Sequence, residues 1–153
     1  MPVRIAAAIV FGFFLLPSLA RGAEADAILG FWNIPENEAQ FEIYRCGAEY
    51  CGRISYLEEP EYPPNDKSMP GRPKVDRNNP DPRHRDRPML GLTLMEGFRY
   101  EAPNAWYGRI YNPDDGKTYR CKLWMVGNDR LNVRGYLGIT LFGRTQEWNR
   151  QMP

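Results

Sequence analysis

The chain has 153 residues, of which 20 are basic and 19 acidic. This length suits one ordinary domain, and the near-zero net charge gives no electrostatic reason to expect nucleic acid or an anionic membrane as a general partner. One His and three Cys leave too few ligands for a zinc centre, so we expect neither a metal site nor a cofactor.

The N-terminus has the three-part layout of a secretory signal peptide. Arg4 provides the positive start, an apolar run covers residues 5–16, and small residues follow from Ser18 to Ala25. The run is shorter than the about 20 residues that cross a bilayer, although a retained anchor is the alternative. We expect cleavage between residues 20 and 25, no membrane insertion of the mature domain 26–153, and a periplasmic or secreted location.

Beyond this leader, short alternating segments follow one another, starting at Gly30-Phe31-Trp32. Residues typical of turns, such as those at 112–116 and 127–130, separate the later segments. The pattern predicts an all-β fold, an eight-stranded antiparallel up-and-down barrel. The predicted strands cover residues 30–34, 39–46, 51–58, 89–97, 104–111, 117–126, 130–137 and 141–149.

The alternation of polar and apolar residues also distinguishes a water-soluble barrel from a membrane barrel. Membrane barrels are apolar outside and polar inside. Here one face of most strands carries charge, such as Arg53 or Arg120, and the opposite face is apolar, including Leu90, which favours an apolar interior. The side chains predicted to line the lumen and contact a ligand there are Phe41, Ile43, Ile54, Tyr56, Leu92, Leu94 and Leu123.

The cysteines divide into a pair and a single residue. Cys46 ends one predicted strand and Cys51 opens the next, so a hairpin brings their sulfurs together. In an oxidising compartment we expect a disulfide that stabilises the fold by about 2 kcal/mol. Cys121 is predicted to pack in the core, with a reactive thiol or an intermolecular disulfide as the alternatives.

One connection is too long for a simple meander. Residues 59–88 contain eight prolines and thirteen charged residues, a composition that cannot form a core. Two interpretations stay open: an ordered flap over one barrel end, or a solvated loop. As a lid, this loop would act through Asp76, Asn79, Arg85 and Arg87.

Several linked motifs resemble a bacterial exported family catalogued as domain of unknown function 2147. The resemblance runs from about Gly30 to the end and implies a lipocalin-like, or calycin-like, barrel. Cys121 departs from the pattern, in which a small residue is usual. The motifs are Phe41–Gly47 with Cys51–Ile54, Asp76–Pro82, Arg87–Gly91, Gly108–Tyr119, and Val133–Gly138 with Phe142–Trp148.

Lipocalins carry a Gly-x-Trp motif on the first strand, which Gly30-Phe31-Trp32 matches. In lipocalins an Arg late in the chain stacks on that Trp at the closed end of the barrel. Arg144 and Arg150 are the candidates for this role. A guanidinium over an indole contributes about 0.5–2 kcal/mol.

Candidate functions follow from these elements. The mature chain has two serines, Ser55 and Ser68, and one histidine, His84. They suggest no catalytic triad, so we expect no catalytic residues and no enzyme. One hypothesis is a carrier that holds a small apolar or amphipathic ligand in the barrel. The alternative is an envelope protein-interaction module with a filled barrel, whose long loop or an exposed aromatic patch contacts a protein partner. The patch is Tyr44, Tyr107, Trp124 and Tyr136.

Overall fold

The computed structural model describes residues 18–34, 38–101, 103–136 and 145–151. A short helix and a 3₁₀ turn precede the strands, and a second 3₁₀ turn, Pro82–His84, lies in the long loop. No helix in these ranges is long and apolar enough to span a membrane. The elements are α1 (Ser18–Ala25), the 3₁₀ turn Asp26–Ile28, β1 (Gly30–Asn33), β2 (Ala39–Cys46), β3 (Glu49–Leu57), β4 (Thr93–Glu101), β5 (Ala105–Asn112), β6 (Lys117–Val126), β7 (Arg130–Tyr136) and β8 (Thr145–Arg150).

The eight strands form a closed barrel in chain order, and every neighbouring pair is antiparallel, β8 returning to β1. The predicted up-and-down barrel is therefore confirmed. One end, which we call the closed end, carries the short turns after β2, β4 and β6 together with α1. The other, the open end, carries the long loop 59–88 after β3 and the turn after β5.

Most predicted strand bounds lie within two residues of the observed ones, and the exceptions are in β4 and β8. β4 begins at Thr93 rather than residue 89, because Gly91 at φ 83° turns the chain just before it. Leu90, expected to face inward, lies in that turn and is 55% exposed. β8 spans Thr145–Arg150, and the earlier part of the predicted segment, 141–144, lies outside the described residues.

The prediction that Tyr56 lines the lumen is wrong, because β3 contains a β-bulge just before it. Phe41 pairs with Ile54, but Gln40 pairs with Tyr56, so Ser55 is the extra residue. A bulge shifts the alternation of inward and outward side chains by one residue. Tyr56 is therefore 48% exposed on the outside of the barrel and does not line the lumen.

The cysteine predictions agree with the structure. Cys46 and Cys51 form a disulfide across the β2–β3 hairpin, with their Cα atoms 5.8 Å apart. Cys121 is free and fully buried in the core, which confirms its packing role. Burial raises the pKa of the Cys121 thiol to about 12, so the thiolate that would react is strongly disfavoured.

Trp32 and Arg150 seal the closed end. The guanidinium carbon of Arg150 lies 4.2 Å from the ring centroid of Trp32, so Arg150 occupies the predicted stacking position, while Arg144 lies outside the described residues. Its Nη1 and Nη2 donate to the carbonyls of Leu29 and Ala27 at 2.8 and 2.6 Å. Gly30, at φ 121°, allows this approach, because a Cβ there would lie 3.1 Å from Nη1.

Large side chains fill the barrel next to Trp32 and Arg150. Trp106, Phe98 and Met95 are all at most 1% exposed. The strand glycines make space for two of them: a Cβ on Gly108 would lie 2.6 Å from the Phe98 ring, and a Cβ on Gly52 would lie 2.8 Å from Met95 Sδ. These glycines are therefore sites of close packing, and the closed half of the barrel contains no ligand space at these positions.

Candidate functional site

The open half of the barrel contains a cavity of about 770 Å³. This volume lies within the about 300–1,000 Å³ that is typical of small-molecule sites. Three predicted lumen residues, Phe41, Ile54 and Leu94, line its apolar base together with Ile110 and Trp148. Phe41 and Trp148 pack with their ring centroids 4.8 Å apart, which gives the base a rigid aromatic wall.

The remaining predicted lumen residues lie elsewhere. Ile43, Leu92 and Leu123 are at most 8% exposed and belong to the packed core, outside the lining of this cavity. Tyr56 is on the outer surface, for the reason given above. The sequence therefore predicts which strands face inward, and the packing decides which of these positions border open space.

The rim of the cavity is polar. Among the described residues it carries the carboxylates Glu38, Glu58, Glu59 and Asp114, and one cation, Lys74. Lys74 Nζ lies 3.8 Å from Glu59, which is largely exposed, so their pairing is weak. An apolar base below a charged rim matches a ligand with an apolar body and a polar end.

The long loop 59–88 is an ordered flap beside the cavity. Two antiparallel bridges, Glu61 with Pro73 and Val75 with Pro88, fold it back on itself. Tyr62 is buried within it and donates to the carbonyl of Val75 at 2.9 Å. Lys74, from this loop, and Met89, just after it, line the cavity, so the segment forms part of the wall.

A buried carboxylate attaches the flap to the barrel. Asp76 is fully buried, and its Oδ1 accepts a 2.6 Å hydrogen bond from Tyr111 on β5. Its Oδ2 accepts from Asn79 at 2.7 Å and from Arg87 at 2.9 Å. Burial raises the pKa of Asp76, but these three donors outweigh it and hold the pKa below its usual value. Burial and the Asp76 carboxylate raise the pKa of Tyr111 to about 12.

A second contact joins the flap to the turn between β5 and β6. Asn78 Nδ2 donates to the carbonyls of Pro113 and Asp114 at 3.0 and 3.1 Å. Gly116 in this turn has no space for a Cβ beside the Asn78 carbonyl. Arg85 Nε donates to the Asn79 carbonyl at 2.8 Å. The four residues predicted to act in the loop, Asp76, Asn79, Arg85 and Arg87, therefore lie in one hydrogen-bonded cluster.

Three important side chains of the site are absent from the sequence-based prediction. Tyr111 is 35 residues from Asp76, and no spacing rule connects them. Ile110 and Trp148 lie on strands whose alternation predicts burial but not a border with open space. An inward aromatic near the end of a closing strand, such as Trp148, is the feature that sequence reasoning could have used.

The side chains considered for catalysis or metal binding do not converge in the described parts of the chain. His84 is exposed, with Nδ1 3.8 Å from an Asp81 oxygen. Ser55 Oγ is buried without a hydrogen-bond partner. Among the described residues, no three His, Cys, Asp or Glu side chains come together as a metal site would require.

The predicted aromatic patch is divided. Tyr44 lies on β2, under the Arg53 guanidinium at 5.2 Å, and its hydroxyl lies 3.3 Å from Thr93 Oγ1. Tyr107 on β5 and Trp124 on β6 lie together elsewhere on the barrel, both in contact with Lys122. The side chain of Tyr136 is outside the described part of the structure.

Comparison with known proteins agrees with this architecture. The model of the family described as "Uncharacterized protein conserved in bacteria (DUF2147)" matches residues 30–150. The chain belongs to this family. Among solved structures it is similar to the protein HP1028 from the human pathogen Helicobacter pylori, described as belonging to the lipocalin family, with a TM-score of 0.67 and 21% identity over 82% of this chain and 83% of that chain. At this identity the likeness shows the fold alone. No curated protein matches the sequence.

Proposed function

We propose that this DUF2147 protein binds one small amphipathic molecule in the cavity at the open end of its barrel and carries it outside the cytoplasm. The observation that supports this function is the combination of a cavity of about 770 Å³, an apolar base and a polar rim. The lipocalin-like fold supports the same function, because an eight-stranded barrel can hold one small ligand where side chains do not fill it.

The expected affinity is modest. Burial of about 200 Å² of apolar ligand surface contributes on the order of 5 kcal/mol. Ordering the ligand and removing water from its polar end reduce this gain. We therefore expect micromolar binding of a generic apolar probe, and tighter binding of a ligand whose polar end fits the rim.

An exported location accompanies this function. The Cys46–Cys51 disulfide fits an oxidising compartment, and the N-terminal segment, with Arg4 and the apolar run 5–16, has the composition of a signal peptide. The carbonyl of Ala25 accepts a 3.0 Å hydrogen bond from Trp106 Nε1, and Asp26 accepts one from Tyr50 at 2.8 Å. Cleavage before Ala25 would preserve both contacts, so we expect the mature chain to begin between residues 21 and 25.

A dye titration tests the binding function. The exported protein should bind N-phenyl-1-naphthylamine, a neutral apolar dye, saturably and at micromolar concentration. Replacing Ile110, which lines the cavity, by Trp fills part of the space and should weaken the binding at least about tenfold, the effect of roughly 1.4 kcal/mol. Tyr56→Trp is the matched control, since it places the same new side chain on the outer surface.

The two variants separate the carrier from the interaction module. If the wild-type protein shows no saturable dye binding, or if Ile110→Trp binds the dye as well as Tyr56→Trp does, the cavity is not the binding site and the proposed function is wrong. A filled barrel whose surface recognises another protein would then be the better account.

A further inference from the structure

The outside of β5, β6 and β7 carries a local excess of positive charge, although the net charge of the chain is close to zero. Four cationic side chains project from adjacent positions of these strands, and we call them the basic face: Arg109, Arg120, Lys122 and Arg134. The formal net charge of the whole chain is +1, so acidic residues elsewhere balance this face. Net charge therefore cannot indicate or exclude an anionic partner here.

Like charges stand directly opposite one another in the basic face. Arg109 is the register partner of Arg120, and Lys122 is the register partner of Arg134. Directly opposed like charges destabilise a sheet. Two successive pairs of this kind indicate that the surface serves something other than the stability of the isolated barrel.

The basic face lacks internal neutralisation among the residues that the structure describes. None of its four cations forms an ion pair there, although Glu96 is the register partner of Arg109. Neighbouring cations differ: Arg99 lies 2.6 Å from Glu49, and Arg130 lies 3.4 Å from Glu147. The basic face is therefore distinguished by free positive charge and not only by its number of basic residues.

Aromatic rings are interleaved with these cations. Lys122 Nζ lies 5.6 Å from the ring centroid of Tyr107 and 5.4 Å from that of Trp124. Both rings are half-buried, whereas Trp32, Trp106 and Trp148 are buried in the core. Partly exposed Trp and Tyr beside Lys and Arg are the residues that favour the headgroup region of a membrane.

We propose that the basic face docks the protein on an anionic phospholipid surface. Each Lys or Arg near such a surface contributes about fivefold to partitioning. The rings of Tyr107 and Trp124 add contacts that a purely electrostatic polyanion site would not need. The inference concerns the outer surface and holds whether or not the cavity carries a ligand.

Vesicle binding tests the proposal on the exported, processed protein. Vesicles containing phosphatidylglycerol should bind it and vesicles of phosphatidylcholine alone should not, with binding that weakens as salt rises. Neutralising two cations in Arg120→Gln/Lys122→Gln should lower the partition coefficient about thirtyfold. Lipids brominated in their upper acyl chains should quench the fluorescence of Trp124, whose ring is the one partly exposed Trp ring among the described residues.

The matched control removes the same charge from the long loop. Lys67 and Arg72 are exposed and form no ion pair within the described ranges, so Lys67→Gln/Arg72→Gln should bind vesicles nearly as the wild type does. If the first double variant does not fold, Arg109→Gln/Arg134→Gln replaces it. Equal losses in test and control variants, no binding to phosphatidylglycerol, or equally strong binding to a heparin fragment at the same salt would each overturn the lipid assignment.

Discussion

Tyr111 donates a 2.6 Å hydrogen bond to the buried carboxylate of Asp76 and so joins β5 to the flap 59–88. Tyr111 also lines the cavity, so the same residue contacts the ligand space and holds the flap. The flap forms part of the cavity wall through Lys74. The order of the flap and the shape of the cavity are therefore coupled through this one side chain.

Removing the Tyr111 hydroxyl should loosen the flap. Tyr111→Phe leaves the buried Asp76 carboxylate with one donor fewer and should lower the free energy of unfolding by about 1–3 kcal/mol in urea titrations. Trypsin should also cut the flap faster at Arg83 and Arg85. Tyr119→Phe removes an exposed hydrogen bond to Asp115 and is the control, with an expected cost below about 0.5 kcal/mol. Equal effects of the two changes would contradict the attachment role.

The same carboxylate predicts an acid limit for the flap. The folded-state pKa of Asp76 lies below its ordinary value, so its contribution is complete above the unfolded pKa of about 3.9 and is lost as pH falls through the folded pKa. The stability difference between wild type and Asp76→Asn should therefore shrink as unfolding is measured from about pH 6 to about pH 2. A difference that stays constant across this range would show that the Asp76 charge contributes nothing.

The sequence predicts the strands better than it predicts the bulge in β3 or the attachment of the flap. Alternation correctly predicts eight strands and an apolar interior, because period-two burial is a local property of each segment. The bulge at Ser55 depends on how β2 and β3 pair, so the outward position of Tyr56 is invisible in β3 alone. The Asp76–Tyr111 hydrogen bond depends on a loop returning to a distant strand.

The sequence likewise predicts only part of the cavity lining. The alternation places Phe41, Ile54 and Leu94 on the inward face, and the structure puts them at the cavity. The same reasoning places Leu123 on the inward face, where it packs in the core and does not border the cavity, since its register partner Trp106 fills that level of the barrel. Side-chain volumes from all eight strands decide where space remains, and no single segment contains that information.

Tight packing in the closed half predicts a sharp difference between two glycines. Gly108→Ala should destabilise the protein by about 1–3 kcal/mol, because its Cβ would lie 2.6 Å from Phe98 and 2.9 Å from the Glu96 carbonyl. Gly135→Ala should change stability little, since its nearest neighbour, Ile110, lies 3.7 Å away in ordinary contact. Urea midpoints measure both, and similar values for the two variants would contradict the packing described.

The cysteines should react in three distinct steps. In the folded protein without reductant, iodoacetamide should modify no cysteine, because Cys46 and Cys51 are bonded and burial raises the pKa of Cys121 to about 12. Unfolding in denaturant should expose Cys121 alone, and reductant should then expose all three. Intact mass after each step counts the modified thiols. Rapid modification of Cys121 in the folded state would contradict its burial.

Native mass spectrometry of the exported protein tests the central claim most directly. A small amphiphile such as octanol should form a one-to-one complex with the wild type and with Tyr56→Trp. Octanol should also compete with N-phenyl-1-naphthylamine for this site. The complex should be at least about tenfold less abundant with Ile110→Trp, whose new side chain fills part of the cavity. No one-to-one complex with the wild type, or an equal amount with Ile110→Trp, would contradict a ligand site at the open end of the barrel.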